Sequence, residues 1–146
     1  MVQTKFVILV KSASIDTSSN LLSLGQVIEE LQSISIPATL FESTLVALFE
    51  RDTKKDPAKI DAELVVVLND KKIAGAVFVI DFQEGSRNRT LTTIELLTLS
   101  EYGILSFQFF INKKPAGKYE LQVKKDNSKL SPKLISMQKK GAKLTK

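Results

Sequence analysis

Several segments of the chain alternate apolar and polar residues with the period of two that a half-buried strand requires. In KFVILVKSASI (5 to 15), Phe6, Ile8 and Val10 fall on one side and Val7 and Leu9 on the other. Both faces are apolar until Lys11, which predicts a strand buried on both sides at its start. DTSSN (16 to 20) is a run of turn formers, and Asp16 is expected to bond the backbone just beyond it rather than join Ser18 and Ser19 around a metal. LLSLGQVIEELQSIS (21 to 35) carries two signals. Leu24, Val27, Ile28 and Leu31 stand at helical spacing, but Gly25 interrupts them and the surroundings favour strands, so a strand with a bulge at Gly25 is expected over a helix.

After Ile36-Pro37, the stretch 38 to 51 places Phe41, Leu45, Ala47 and Phe49 on one parity and Val46 and Leu48 on the other. RDTKKDPAKID (51 to 61) reads as a charged, solvent-exposed loop. AELVVVLNDKKIAGAVFVIDF (62 to 82) predicts a hairpin turning at Asn69-Asp70-Lys71-Lys72, and its doubly apolar arms place it in the middle of a sheet. QEGSRN (83 to 88) is a further turn, and RTLTTIELLTLS (89 to 100) is rich in β-branched residues, with threonines for a wet face. Leu105, Phe107, Phe109 and Ile111 oppose Ser106 and Gln108, NKKPAG (112 to 117) turns the chain, and Tyr119, Leu121 and Val123 alternate with Lys118, Glu120 and Gln122. Together these elements predict an all-β fold, an antiparallel two-layer β-sandwich of about seven or eight strands over residues 1 to 125, immunoglobulin-like in type.

KFVILVKSASID, then NLLSLGQVIEEL, an IPA step into a long strand, and the closing SEYGILSFQFFINKKPAGKYELQV together resemble an uncharacterised family of small bacterial proteins. The resemblance spans residues 4 to 124. It implies an immunoglobulin-like β-sandwich and brings no assigned activity and no functional residue. The family's terminal Pro-Gly-x-Tyr-x-Phe is not kept: Glu101-Tyr102 replaces its proline and Ile104 its tyrosine.

Composition removes whole chemistries. The chain has no histidine and no cysteine, which excludes Ser-His-Asp and Cys-His catalysis and the ordinary zinc site. No glycine-rich phosphate loop is present, and apolar runs are too short for a transmembrane helix. The absence of cysteine and the short apolar stretch at the start, broken by Lys11, lead us to expect a cytoplasmic protein without a signal peptide. No cofactor is expected. The adjacent acids Glu29 and Glu30 would point to opposite faces of a strand, Asp81 should cap the turn after it, and Arg87-Asn88-Arg89, a conceivable anion grip, reads as a solvated turn.

The charge is unevenly placed. From Lys124 onward eight lysines face one acid, Asp126, for +7, which leaves residues 1 to 123 with 13 basic against 15 acidic groups, a net of −2. Residues 126 to 146 therefore read as a basic appendage. Ser131 as a cap, Pro132 at the first helical position and Gly141 beyond the last lysines make SPKLISMQKKG (131 to 141) a candidate short helix. Lys129, Lys133, Lys139, Lys140 and Lys143 are the candidate contacts for an anion or partner. The function expected from these observations is a non-catalytic binding or protein-interaction module, with an unknown protein as partner and a homo-oligomer allowed. Two alternatives stand beside it. One is a carboxylate-dependent hydrolase whose site assembles only in three dimensions; the other is weak binding of nucleic acid or an anionic surface through the lysines. Because the strand alternation stops at Val123, deletion of residues 127 to 146 is expected to shift the Tm only slightly. A calorimetric scan in which the truncated chain no longer unfolds cooperatively would show that Leu130, Leu134 and Met137 belong to the core.

Overall fold

The computed structural model describes residues 1 to 126, and among them nine strands succeed one another with no helix between. They are β1 (Gln3–Ile15), β2 (Leu22–Val27), β3 (Glu30–Ser33), β4 (Ala38–Glu50), β5 (Lys59–Leu68), β6 (Lys71–Asp81), β7 (Arg87–Leu99), β8 (Gly103–Ile111) and β9 (Lys114–Lys125). One sheet has the order β2-β1-β4-β7 and the other β3-β9-β8-β5-β6. The all-β expectation holds. The candidate helix over 131 to 141 lies outside the described residues.

The strand count rises to nine because the stretch 21 to 35 divides at Ile28-Glu29, where the chain leaves one sheet for the other. Ile28 is buried at this corner, donates its N–H to Leu9 O at 2.8 Å, and accepts the Tyr119 hydroxyl on its own carbonyl at 2.7 Å. Tyr102 likewise donates to Ser33 O at 3.1 Å, so both tyrosines of the chain hold the crossing segment. Burial, with the charge of Glu29 adding to it, pushes the Tyr119 phenol above its ordinary value and keeps the donor protonated. Arriving from this corner, β3 runs parallel to β9, pairing Glu30 with Gln122 and Ser33 with Lys125. The wholly antiparallel expectation is corrected at this one pair. The bulge expected at Gly25 is also corrected, since Gly25 pairs regularly with Ser12 and the irregular residue is its neighbour Gln26, at φ 49°.

The core lies between the two sheets. Leu9, Leu45, Ala47, Phe49 and Leu99 enter it from the first, and Leu64, Leu68, Ile80, Leu105, Phe107, Phe109 and Leu121 from the second. Phe109 meets Phe49 edge-on at 5.5 Å between ring centroids and Phe78 at 6.0 Å, joining the layers at their centre. The parity expected for β4 holds for Leu45, Ala47 and Phe49 but fails for Phe41, which is 56% exposed while Leu40 is buried. Between Phe41 and that inward-facing run stands Glu42, at φ 38°, whose backbone exchanges the faces of the strand. The hairpin of β5 and β6 turns on Asn69-Asp70, at φ 48° and 69°, the pair of positive values that a tight two-residue turn needs. It does not lie mid-sheet as expected: β5 is interior, but β6 is an edge, so Val77 and Val79 remain exposed.

Asn69 also fixes the start of β8. Its side chain accepts from Ile104 N at 2.9 Å and donates to Tyr102 O at 2.7 Å and Glu101 Oε1 at 2.8 Å. Gly103, at φ 140°, lies directly against this amide, and a Cβ there would collide with it.

Two outcomes follow from this packing. Phe109→Ala should lower the unfolding free energy by about 3–5 kcal/mol, read as a lower urea midpoint, because it empties the space between the sheets. The Asn69 hydrogen bond and then the Lys71 charge hold the Glu101 carboxyl below its ordinary value of 4.5. Its contribution to stability is therefore complete above the unfolded value and disappears as pH falls through the lower folded value. Urea titrations from pH 7 to pH 3 should show wild type and Glu101→Gln converging in acid; a constant gap would contradict this.

Candidate functional site

Residues 87 to 89, expected to be a solvated turn, open the edge strand β7 instead. In a strand, positions two apart share a face, so Arg87 and Arg89 project together across Asn88. The register sets Arg89 beside Leu48 of β4, and Leu48 beside Phe6 of β1. This row lies on the outer face of its sheet, since Ala47 and Phe49 on either side of Leu48 point into the core.

The second wall comes from the β1–β2 hairpin. Beyond Val10, β1 pairs only with β2, and the hairpin folds back over the outer face until its tip reaches β7. There Arg89 donates from Nη2 to Asn20 O at 2.7 Å and from Nη1 to Asn20 Oδ1 at 3.3 Å. The tip is ordered by Asp16, whose Oδ1 accepts from both the N–H and the hydroxyl of Ser18 at 2.9 Å, as the turn expectation required. These bonds, the backbone one first, hold the Asp16 carboxyl below its usual range. The fold-back explains why Val10 and Val46, on the face away from the core, are fully buried. Burial of β1 on both sides thus falls at Leu9 and Val10 rather than at its start.

Between hairpin and sheet lies a cleft of about 680 Å³, lined by Phe6, Ile15, Asn20, Leu22, Leu48, Asp81, Phe82, Gln83, Arg87, Asn88 and Arg89. Arg87 spends its Nε on Glu50 Oε2 at 3.1 Å, and Lys5 reaches the other oxygen of Glu50 at 3.7 Å. Asp81 caps the turn as expected, accepting from Gln83 N at 2.8 Å. Asn88 donates to Asp81 O at 3.0 Å and accepts from the Thr90 hydroxyl at 2.6 Å. The lining thus holds two guanidiniums, that of Arg87 paired with Glu50, one carboxylate, and Phe6, which is 37% exposed across Leu48 from Arg89. Such a cleft can hold an anionic group against an apolar wall.

Other depressions were not foreseen. On the outer face of the five-stranded sheet, Val77, Val79 and Phe110 with Asp61, Glu63, Asn112 and Lys113 line a shallow groove of about 720 Å³. Across β4 and β7, Glu42 and Glu95 share a hollow with Lys11, Thr44 and Thr93. No group of three or more metal-ligating side chains occurs among the described residues. Glu29 and Glu30 sit at the sheet crossing, where Glu30 bonds Gln32 at 3.0 Å and Lys124 at 3.2 Å. Lys129, Lys133, Lys139, Lys140 and Lys143 lie outside the described residues. Sequence reasoning missed Phe6, Asn20 and Leu48 as members of one site because only the fold-back brings them together. The i, i+2 spacing of Arg87 and Arg89 was the signal available for the cationic side.

Among the described residues no helix is long and apolar enough to cross a membrane. No family model matches the chain, and neither does any curated protein. Among solved structures it is similar to the Pseudomonas fluorescens alkylpurine DNA glycosylase AlkC bound to DNA containing an abasic site analog, at 14% identity and a TM-score of 0.46. The match covers 84% of this chain and 30% of that one, so the chain spans under a third of its neighbour's length. That neighbour is an enzyme on DNA and not a protein-interaction module, so the expectation of such a module finds no support among the comparisons.

Proposed function

We propose that the protein binds single-stranded nucleic acid in the cleft between the β1–β2 hairpin and the outer face of its sheet. The observation that supports this is that Arg87 and Arg89 line the same cleft as the partly exposed Phe6. Guanidiniums match phosphate geometry, and an aromatic face accepts any base. The net charge of −2 on residues 1 to 123 offers no broad field for a duplex, so the contact is local and short. The lysines from Lys124 onward add attraction that does not depend on sequence. The fold we propose beneath it is immunoglobulin-like: the order β9-β8-β5-β6 in one sheet and β1-β4-β7 in the other, with β3 parallel to the last strand, supports that reading.

Fluorescence anisotropy with a labelled single-stranded oligonucleotide, its duplex and anionic vesicles tests the proposal. The single strand should bind best. Arg87→Gln and Arg89→Gln should each weaken it about tenfold, the effect of removing one charge-assisted hydrogen bond. Each should also flatten the slope of log affinity against log salt by about 0.7, the share of one neutralised phosphate on a single strand. Phe6→Ala should weaken binding and leave that slope unchanged. Equal binding to vesicles, or an unchanged affinity in the double arginine variant, would overturn the reading. Hydrogen exchange supplies a structural control: Arg89→Gln should speed exchange at residues 16 to 21, whose tip it holds, and leave the core strands protected.

A further inference from the structure

Among the described residues, the five-stranded sheet has two edges, the four-residue β3 and the eleven-residue β6, and β6 pairs only with β5. An edge strand carries backbone donors and acceptors that no neighbouring strand satisfies, and on β6 Asn88 of β7 reaches one of them, donating to Asp81 O at its far end. Here Val77 is 81% exposed and Val79 54%. Both stand on the outer face, opposite Glu63 and Asp61 of β5.

The spacing along this edge is symmetric once its bulge is counted. The register passes from Val66↔Ala74 to Val67↔Lys72, so Ile73 is the extra residue and Lys72 takes the next outward place after Gly75. The outward positions are therefore Lys72, Gly75, Val77, Val79 and Asp81, with Val77 at the centre. We infer that β6 pairs antiparallel with β6 of a second copy of this chain about a two-fold axis at Val77, joining two five-stranded sheets into one. The axis sets Val77 against Val77, each Val79 against the bare Gly75 of the other copy, and each Lys72 against the other copy's Asp81. Opposite residues of an antiparallel pair share a face, so all five pairings fall on one side.

The partner chemistry is read from this complementarity. A cation at one end, an anion at the other, and a gap matched to a valine between them fit the same strand reversed, whereas a foreign peptide would have to reproduce that order. In the isolated chain Lys72 lies over Gly75, where an added Cβ would come within 3.1 Å of its Cε. Turning toward the second copy's Asp81 would uncover the place that Val79 fills.

The chain has no cysteine, so a single introduced thiol reports the axis directly. Full-length Val77→Cys should oxidise to a disulfide-linked dimer, because residues facing each other across such a pair lie within the Cα separation that a disulfide spans. Val79→Cys should not, since its own copies stand four residues out of register. Light scattering on the unmodified chain should give twice the chain mass, falling to the monomer in Val77→Lys, whose site is too exposed to disturb the fold. Lys72→Glu should weaken the dimer and Lys72→Glu with Asp81→Lys restore it. A monomeric wild type, a dimer that survives Val77→Lys, or cross-linking of Val79→Cys as fast as that of Val77→Cys would overturn the inference. So would a monomer whose Val77→Cys thiol reacts with an alkylating reagent only after residues 127 to 146 are removed, which would give the edge to the chain's own basic segment.

Discussion

The edge-on contact of Phe109 with Phe49 is the interaction on which the two layers depend. One ring comes from the interior strand β8 and the other from the interior strand β4, so the contact ties the middle of one sheet to the middle of the other. Phe78 meets Phe109 edge-on as well, which locks the ring between strands of both layers. Edge-on rings keep their attraction only within a narrow range of offset and tilt. The contact therefore favours one relative placement of the two sheets at this point.

Away from that centre the architecture is shaped by a few backbone reversals. Glu42 exchanges the faces of β4, the extra residue Ile73 resets the outward spacing of β6, and the β1–β2 hairpin turns back over its own sheet. Each has a chemical consequence. Phe41 moves to the surface beside Leu96, its register partner, which is also exposed. Val10 and Val46 gain a cover on their outer side, and the arginines of β7 gain a facing wall. The same hairpin thus adds burial and builds the cleft, so the cleft is as rigid as the Arg89–Asn20 bonds that close it.

Electrostatics divides along the same lines. The carboxylates of Asp16, Glu30, Asp56 and Glu101 are all held below their ordinary range by hydrogen bonds and nearby cations, and each secures a turn, a strand end or the chain's first residue. Asp56 shows the pattern: Asp52 N donates to it, the amino group of Met1 lies 3.0 Å away, and Arg51 bonds the Asp56 carbonyl at 3.0 Å. These four carboxylates are therefore committed to structure.

Strand class, most turns and the inner face of strands such as β8 were legible in the residues alone. Alternation in Leu105, Phe107, Phe109 and Ile111 decides burial locally, because a period of two leaves no choice of face once one side is wet. Turn chemistry at Asp16, Asn69-Asp70 and Asp81 is equally local, since a side chain bonds its own neighbouring backbone or the residue tolerates a positive φ. Everything that depends on which strands become neighbours was beyond local reading. Doubly apolar β6 read as a central strand and became an edge; helix-spaced 21 to 35 became two strands in different sheets. Phe6, Asn20 and Arg89 are far apart in sequence and meet because a hairpin folds back. Pairing of distant segments is set by the summed fit of whole faces, and no single stretch of residues carries that information.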